Sequence, residues 1–408
     1  MKARKVVLID AIRTAFGRAG EKGVFWNTRA DDMVVKVIRE LMRRNPKVKP
    51  EMIEENAWGV FCQEGDQGLT LGRTSAILAG LPVTVAGYSI DRMCAGGMSA
   101  LTSAASEIAL GACDVAIAGG VEHMGHHPMG STADPNPRFV TDKLVDQSAL
   151  SMGATAENLH DMFPHITKEM ADDYSMLCQQ NADNAIKSGK VREMIVPMTV
   201  YTKGGWAVAD RDEQPRPETT LEGLAKLKTP FRVMGKVTAG NSSGLNDGAA
   251  GALLMTLEKA EELGIEPKME LKSFAYAGVK PEIMGIGPIP ATHKALKVAG
   301  LTIEDVGLIE LNEAFAVQAV AFMEEFGLTF PTDPRLNIYG GAIAYGHPLA
   351  SSGVRLALHL MHGFKEHPEV KYGLTTMCVG LGQGGAVIWK NLQRDGKKEK
   401  KEKKDNSE

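Results

Sequence analysis

Val85-Ala86-Gly87-Tyr88-Ser89-Ile90 leads into Asp91-Arg92-Met93-Cys94-Ala95-Gly96-Gly97-Met98-Ser99-Ala100, then a helix-like run to Leu110 and Val115-Ala116-Ile117-Ala118-Gly119-Gly120. Short apolar runs bounded by turn residues read as buried strands, and the longer stretch between them as a helix. The same succession recurs near the other end. Leu336–Tyr339 precedes Gly346-His347-Pro348, a helix-like stretch over Val354–His362, and Leu374-Thr375-Thr376-Met377-Cys378-Val379-Gly380. Each copy sets a reactive side chain where a strand turns into a helix, a pattern-level internal duplication.

Working outward, Val6–Ile9 and Ala57–Cys62 read as further strands of the first half, and Ile303–Asn312 and Ala386–Trp389 of the second. Ala30–Arg43 and Ala314–Phe326 read as helices. Strands alternating with helices predict an α/β fold with buried sheets. The middle, about 121 to 250, is less regular and reads as an excursion that covers a site. One helix stands out there: Thr167 can cap it, Met170, Tyr174, Leu177 and Cys178 repeat at helical spacing, and Gly189 can end it. Gly235 to Gly251 is glycine-dense with Asn241, Ser242, Ser243 and Asn246, a loop suited to close approach of backbone to a ligand.

The 408 residues suggest two or three domains. A net charge of −4 supplies no field to recruit nucleic acid. Five scattered cysteines without a C-x-x-C pair argue against a disulfide framework or zinc ribbon and for a reducing, cytoplasmic setting. Nothing approaches the ~18 apolar residues of a membrane span. The Lys- and Glu-rich end, 395–408, reads as a disordered tail.

Taken singly, the reactive residues stay ambiguous. Cys94 is either a buried structural thiol or a nucleophile at a helix N-terminus, which favours the thiolate and offers backbone N–H donors. His347, between Gly and Pro, is poorly placed for packing and well placed as base or donor. Cys378 alone reads as core. Gly380, Gly382 and Gly385 spell G-x-G-x-x-G, but a strand-like Ala386–Trp389 follows where a dinucleotide fold needs a helix. Glu122-His123-Met124-Gly125-His126-His127 lacks a second ligand cluster, so no metal is expected.

Together, Arg92–Met98, Asn312-Glu313-Ala314-Phe315-Ala316, Gly340–Gly353, Cys378–Gly385 and Val237–Gly248 resemble the thiolase family, in family order, over about residues 4 to 392. Gly119–Gly125, Arg216–Thr220, Ile283–Pro288 and Cys378–Gln383 look like its 3-ketoacyl-CoA branch of fatty-acid β-oxidation, bacterial complex subunit type. The resemblance implies a five-layered αβαβα fold of two similar halves with an inserted loop domain. It divides the chain into 1–120 (completed by about 250–268), a loop domain over 121–249 and a second half over 269–394.

It also implies roles. Cys94, activated by His347, forms an acyl-enzyme; Cys378 is acid and base; His347 and an Asn312-held water bind the enolate oxygen, and the N–H groups of Cys94 and Gly380 bind the acyl oxygen. Ser243, Met152 and Phe315 line the pantetheine channel, and the coenzyme A loop contains Ala239. Lys228 stands where relatives carry an Arg against the adenine, and lacks its planar stacking face. Tyr345 and Ala350 replace the usual Leu and Gly.

Acyl-CoA and coenzyme A are the implied substrates, with no permanently bound cofactor and a dimer-based homo-oligomer (dimer or tetramer). Ser151, where short-chain biosynthetic members carry His, and a Met-dense cover (Met124, Met129, Met152, Met162, Met170, Met176) favour a degradative enzyme taking longer chains. An associated enoyl-CoA hydratase/3-hydroxyacyl-CoA dehydrogenase subunit is then expected. The rival readings are a biosynthetic acetoacetyl-CoA thiolase, a non-catalytic lipid-binding relative, and a decarboxylating condensing enzyme, which would lack Cys378.

Overall fold

In a computed structural model, residues 3–131 and 133–393 are described; the expected tail at 395–408 lies outside them. The strands are β1 Val6–Arg13, β2 Gly17–Arg18, β3 Glu55–Gly59, β4 Ala86–Ile90, β5 Val115–His123, β6 Met198–Thr202, β7 Gly205–Ala209, β8 Asn246–Thr256, β9 Met269–Gly278, β10 Val306–Leu311, β11 Tyr372–Val379 and β12 Gln383–Asn391. Apart from the β6–β7 hairpin they form one sheet in the order β10-β11-β12-β9-β1-β8-β5-β3-β4, with β2 paired to β8. The halves meet where Val7 faces Glu270 and Leu8 faces Met269, between β1 and β9.

The order repeats across that seam. β1, β8, β5, β3 and β4 of the first half correspond to β9, β12, β11, β10 and the segment at Leu336, which bridges to Ile309 in parallel. Between the half-sheets the helices Gly96–Leu110 and Ser352–Glu366 pack on each other. The first, GGMSALTSAASEIAL, is apolar or small almost all round, as a deeply buried helix requires, and the second, SGVRLALHLMHGFKE, buries Arg355 and His359 as well as its apolar residues. Ala30–Arg44 and Leu71–Ala79 cover the outer face of one half-sheet, and Pro288–Ala299 covers the other. The arrangement is the five-layered αβαβα fold that the resemblance implies.

The reactive turns occupy equivalent places. Cys94 lies in the 3-10 turn Met93–Ala95 that opens one central helix, and His347 lies just ahead of the turn Leu349–Ser351 that opens the other. These turns meet backbone to backbone. A Cβ on Gly97 would lie 2.3 Å, and one on Gly120 2.2 Å, from the Ala350 carbonyl oxygen, and one on Gly59 would lie 2.0 Å from the Gly96 carbonyl carbon. The glycines after Cys94 and at the end of the VAIAGG strand are therefore requirements of close packing. Ala350, buried, fits with its methyl group against Gly96.

The halves differ at one connection. β11 passes to β12 through Gly380, Leu381 and Gly382 alone, whereas β5 passes to β8 through residues 124–245. That long excursion includes the helix Lys168–Lys187, where the Thr167 side chain accepts from the Met170 N–H at 3.2 Å as its cap position predicts.

Two local expectations change. Leu336–Tyr339 is not a strand: Asn337 sits at φ 46° and its side chain takes the ladder's place, accepting from Leu311 N–H at 2.8 Å and donating to Leu311 C=O at 3.0 Å. The glycine-dense loop ends sooner than Gly251, because Asn246 onward is β8, fully buried and paired antiparallel to both β1 and β5. Strand β9 and the helix Pro288–Ala299 arise in sequence without a clear apolar period. Among the described residues no helix is long and apolar enough to cross a membrane.

Gly120→Ala is expected to cost about 1–3 kcal/mol or more through overpacking against Ala350, whereas Gly204→Ala, whose Cβ would meet only Thr202 Oγ1 at 3.7 Å, should be near neutral. Urea unfolding of the two variants checks this; equal midpoints would contradict the close contact.

Candidate active site

Cys94 is the only one of the five cysteines that is not buried, so it is the thiol an incoming molecule can reach. Its turn is held open by an unusual backbone: Met93 has φ 45°, and its N–H donates to Asp91 Oδ1 at 2.6 Å. Half-buried and reachable from one side, the Cys94 sulfur is still largely desolvated, which pushes the thiol up to about 12, opposed by backbone N–H groups of Gly380 and of Cys94 itself. The N–H groups at this turn favour the thiolate, as the sequence implies, and desolvation acts against them.

Gly380 brings the second half to this sulfur. A Cβ there would lie 2.6 Å from Met93 Sδ and 3.8 Å from Met152 Sδ, so Met93, Met152 and Gly380 enclose one spot. Met152 begins the helix Met152–Met162. Of the Met-dense cover, Met152 is at the site, while Met129 and Met162 are exposed. Met93, not singled out in sequence, belongs there instead.

His347 is buried, and its tautomer follows from its partners. Asn312 Oδ1 accepts from Arg355 Nη2 at 3.3 Å, which turns Asn312 Nδ2 toward His347 Nε2 at 3.4 Å. Nε2 is then the lone-pair nitrogen, and Nδ1–H donates to Ser352 Oγ at 2.6 Å. Burial, with Arg355 nearby, pulls His347 down to about 3, so the ring is a neutral base. The His347 N–H donates to Asn246 Oδ1 at 3.1 Å, and Leu245 bridges His347, which fastens the glycine-dense loop to the His347 turn.

Cys378, the penultimate residue of β11, is fully buried and donates its S–H to Gln318 Oε1 at 3.3 Å. Burial and the neighbouring Cys94 hold it well above the usual thiol range. Glu313, beside Asn312, is a clamp: it accepts from Tyr174 OH at 2.7 Å, Cys178 Sγ at 3.0 Å and the Ile343 N–H at 3.2 Å. One carboxyl thus pins the covering helix and the His347 loop to the segment that leaves β10 through Asn312.

Ser243 N–H donates to the Ala314 carbonyl at 2.9 Å, and Ser242 bridges Phe315, which places Ser243 beside Phe315. Ala239 and Lys228 are exposed; Leu227 would meet a Cβ on Gly240 at 2.6 Å, so the Lys228 segment lies over the Ala239 loop. Tyr345 turns its ring toward Arg13, at 5.8 Å, and donates to the Tyr339 carbonyl. The residues missed in sequence are Ser352, Arg355, Gln318 and Met93. Each lies within eight positions of a motif residue, but only the helical turns show which of them face it.

The Glu122–His127 stretch is occupied internally. Glu122 accepts from the Phe61 and Cys62 N–H groups and from Gln67, and Asp66 engages both His126 and His127.

The thiolase N-terminal domain family matches residues 6–258 and the thiolase C-terminal domain family residues 265–391. The chain is 44% identical to a 3-ketoacyl-CoA thiolase of Pseudoalteromonas translucida, over 95% of this chain and 99% of that protein. It is 43% identical to a 3-ketoacyl-CoA thiolase of Photobacterium profundum, with the same coverage. The crystal structure of the Bacillus anthracis acetyl-CoA acetyltransferase superposes with a TM-score of 0.85 at 37% identity, covering 96% of this chain and 99% of that one.

Because His347 is neutral down to about 3, the rate of Cys94 acylation should show no histidine inflection between about pH 5 and pH 8. An unfolded imidazole titrates near pH ~6.5, so the stability gained by keeping the ring neutral is lost as pH falls from there. Lowering pH from about 7 to about 5 should cost wild type roughly 1–2 kcal/mol more than His347→Gln. A rate inflection near pH ~6.5 that vanishes in His347→Gln would contradict the neutral ring.

Proposed function

The chain belongs to the thiolase family, and from that premise we propose that it cleaves 3-ketoacyl-CoA with coenzyme A, giving acetyl-CoA and a shortened acyl-CoA, in fatty-acid β-oxidation. The observation that carries the reading is Cys94: the one reachable thiol, on a helix-opening turn, with the Gly380 and Cys94 N–H groups at its sulfur.

Cys94 attacks the 3-keto carbon while His347 Nε2 takes the thiol proton. The alkoxide is met by the Cys94 and Gly380 N–H donors. As it collapses, the bond between the keto carbon and its α-carbon breaks and its electrons pass to the thioester oxygen, beside Asn312 and His347. Cys378 gives its proton to the enolate carbon, releasing acetyl-CoA and leaving a thiolate. That thiolate takes the proton of incoming coenzyme A, whose sulfur attacks the acyl group. Cys94 leaves and recovers its proton from His347.

The reading extends to the rest of the molecule. Ser243, Met152, Phe315, Ala239 and Lys228 line the coenzyme A path, and no resident cofactor or metal is needed. The chain divides into halves at 1–120 with about 250–268 and at 269–394, with 121–249 as the covering loop domain. It works in the cytoplasm as a dimer-based homo-oligomer. Its keto substrate must come from hydration and dehydrogenation, so an enoyl-CoA hydratase/3-hydroxyacyl-CoA dehydrogenase subunit is the expected partner. The name of the Bacillus anthracis structure favours one alternative, condensation of acetyl-CoA.

Thiolysis rates across 3-ketoacyl-CoA chain lengths, with acetyl-CoA condensation measured alongside, test the proposal. Medium or long chains should be cleaved; activity confined to acetoacetyl-CoA would favour the alternative. Labelled acyl-CoA should mark one peptide, containing Cys94, and Cys94→Ala should abolish turnover in a folded protein. Asn312→Ala should lower kcat by ~10²–10³-fold with little change in KM, since an oxyanion donor acts in the transition state. Co-purification at low salt tests the partner.

A further inference from the structure

Gln318 lies on the helix Ala316–Glu325 and is buried, with two polar contacts of opposite sense. Its Nε2 donates to the Asn312 carbonyl oxygen at 3.0 Å, and its Oε1 faces Cys378 Sγ at 3.3 Å. A carbonyl oxygen can only accept, so the Asn312 contact fixes which end of the amide points at the sulfur. The end that does so is itself an acceptor, and the sulfur facing it must carry a hydrogen. The stem is held as well: a Cβ on Gly285 would lie 3.4 Å from both Cβ and Cγ of Gln318.

We propose that Gln318 is a positioning residue of this reaction, holding the Cys378 thiol as a hydrogen-bond donor and tying it to the main chain of Asn312, so that the proton donor and the enolate-binding group keep one geometry. The inference rests on the reading of Cys378 as acid and base. A thiol is a weak donor, so the S–H···O contact exchanges for an enolate by rotation about Cβ–Sγ. The amide oxygen favours the protonated sulfur over the thiolate. That suits delivery of a proton to the enolate and opposes the reverse step, removal of an acetyl α-proton, which needs the thiolate.

The test compares Gln318→Met, which keeps volume and loses both polar ends, with Gln318→Glu, which keeps an acceptor and loses the donor. Three readouts are taken on the full-length protein: Cys94 acylation by a simple acyl-CoA, thiolysis kcat and KM, and exchange of acetyl-CoA α-protons with D2O as a function of pH. Gln318→Met should acylate at the wild-type rate and lose about tenfold in kcat with KM unchanged. Its exchange profile should move to lower pH, because the thiolate no longer faces an amide oxygen, and that of Gln318→Glu should move to higher pH.

Exchange profiles that coincide with wild type would overturn the proposal, as would equal loss of acylation and exchange at every pH, the mark of a structural role alone. Should Gln318→Met not fold, the direction of the Gln318→Glu shift decides. A wild type that exchanges α-protons without cleaving 3-ketoacyl-CoA would end the functional proposal above and leave Gln318 to be judged on exchange alone.

Discussion

The contact of the two central turns across the Ala350 carbonyl is the constraint on which the rest depends. With Gly97 and Gly120 against that oxygen, the backbones of the two halves approach closer than any side chain permits. The turn that carries Cys94 and the turn that leads from His347 can therefore meet only in one arrangement. A packed interior does not deform continuously, and fixing these peptide planes fixes the Cys94 and His347 side chains.

From that junction the polar groups spread outward through Asn312. Its side-chain oxygen is turned by Arg355, its side-chain nitrogen meets His347, and its main-chain oxygen holds Gln318, which in turn holds Cys378. The charge state of the resting site follows from burial. His347 is neutral and both thiols keep their protons, so no ion needs a counter-ion until a substrate is present. The charges of the reaction then develop beside donors already in position, which is the advantage of a preorganised site.

Much of this was legible in the sequence because the motifs lie at turns. The strand-turn-helix repeat located Cys94 and His347 at equivalent places, and the apolar runs located β1, β5, β11 and β12 and the central helices. What was not legible depends on facing. Ser352 and Arg355 follow His347 by less than three helical turns, yet only the packed helix shows one aimed at Nδ1 and the other at Asn312. Sequence reveals the helix terminus that favours the Cys94 thiolate and not the desolvation that opposes it. β8 hid inside a glycine-dense stretch, where small residues serve close strand packing: a Cβ on Gly248 would strike Phe16 at 2.5 Å.

Asn337 has a further consequence. At Leu311 its amide consumes the N–H and the C=O that β10 would otherwise present to an additional strand, and at Ile309 the neighbouring main chain, Arg335 C=O and Asn337 N–H, does the same. An open sheet margin is a template for aggregation, and proteins blunt it in several ways. Here one residue with a left-handed backbone, Asn337, finishes the margin at that end together with the main chain beside it. Any polypeptide that sought to extend the sheet past β10 would first have to displace that amide, so growth in that direction is closed from within the fold.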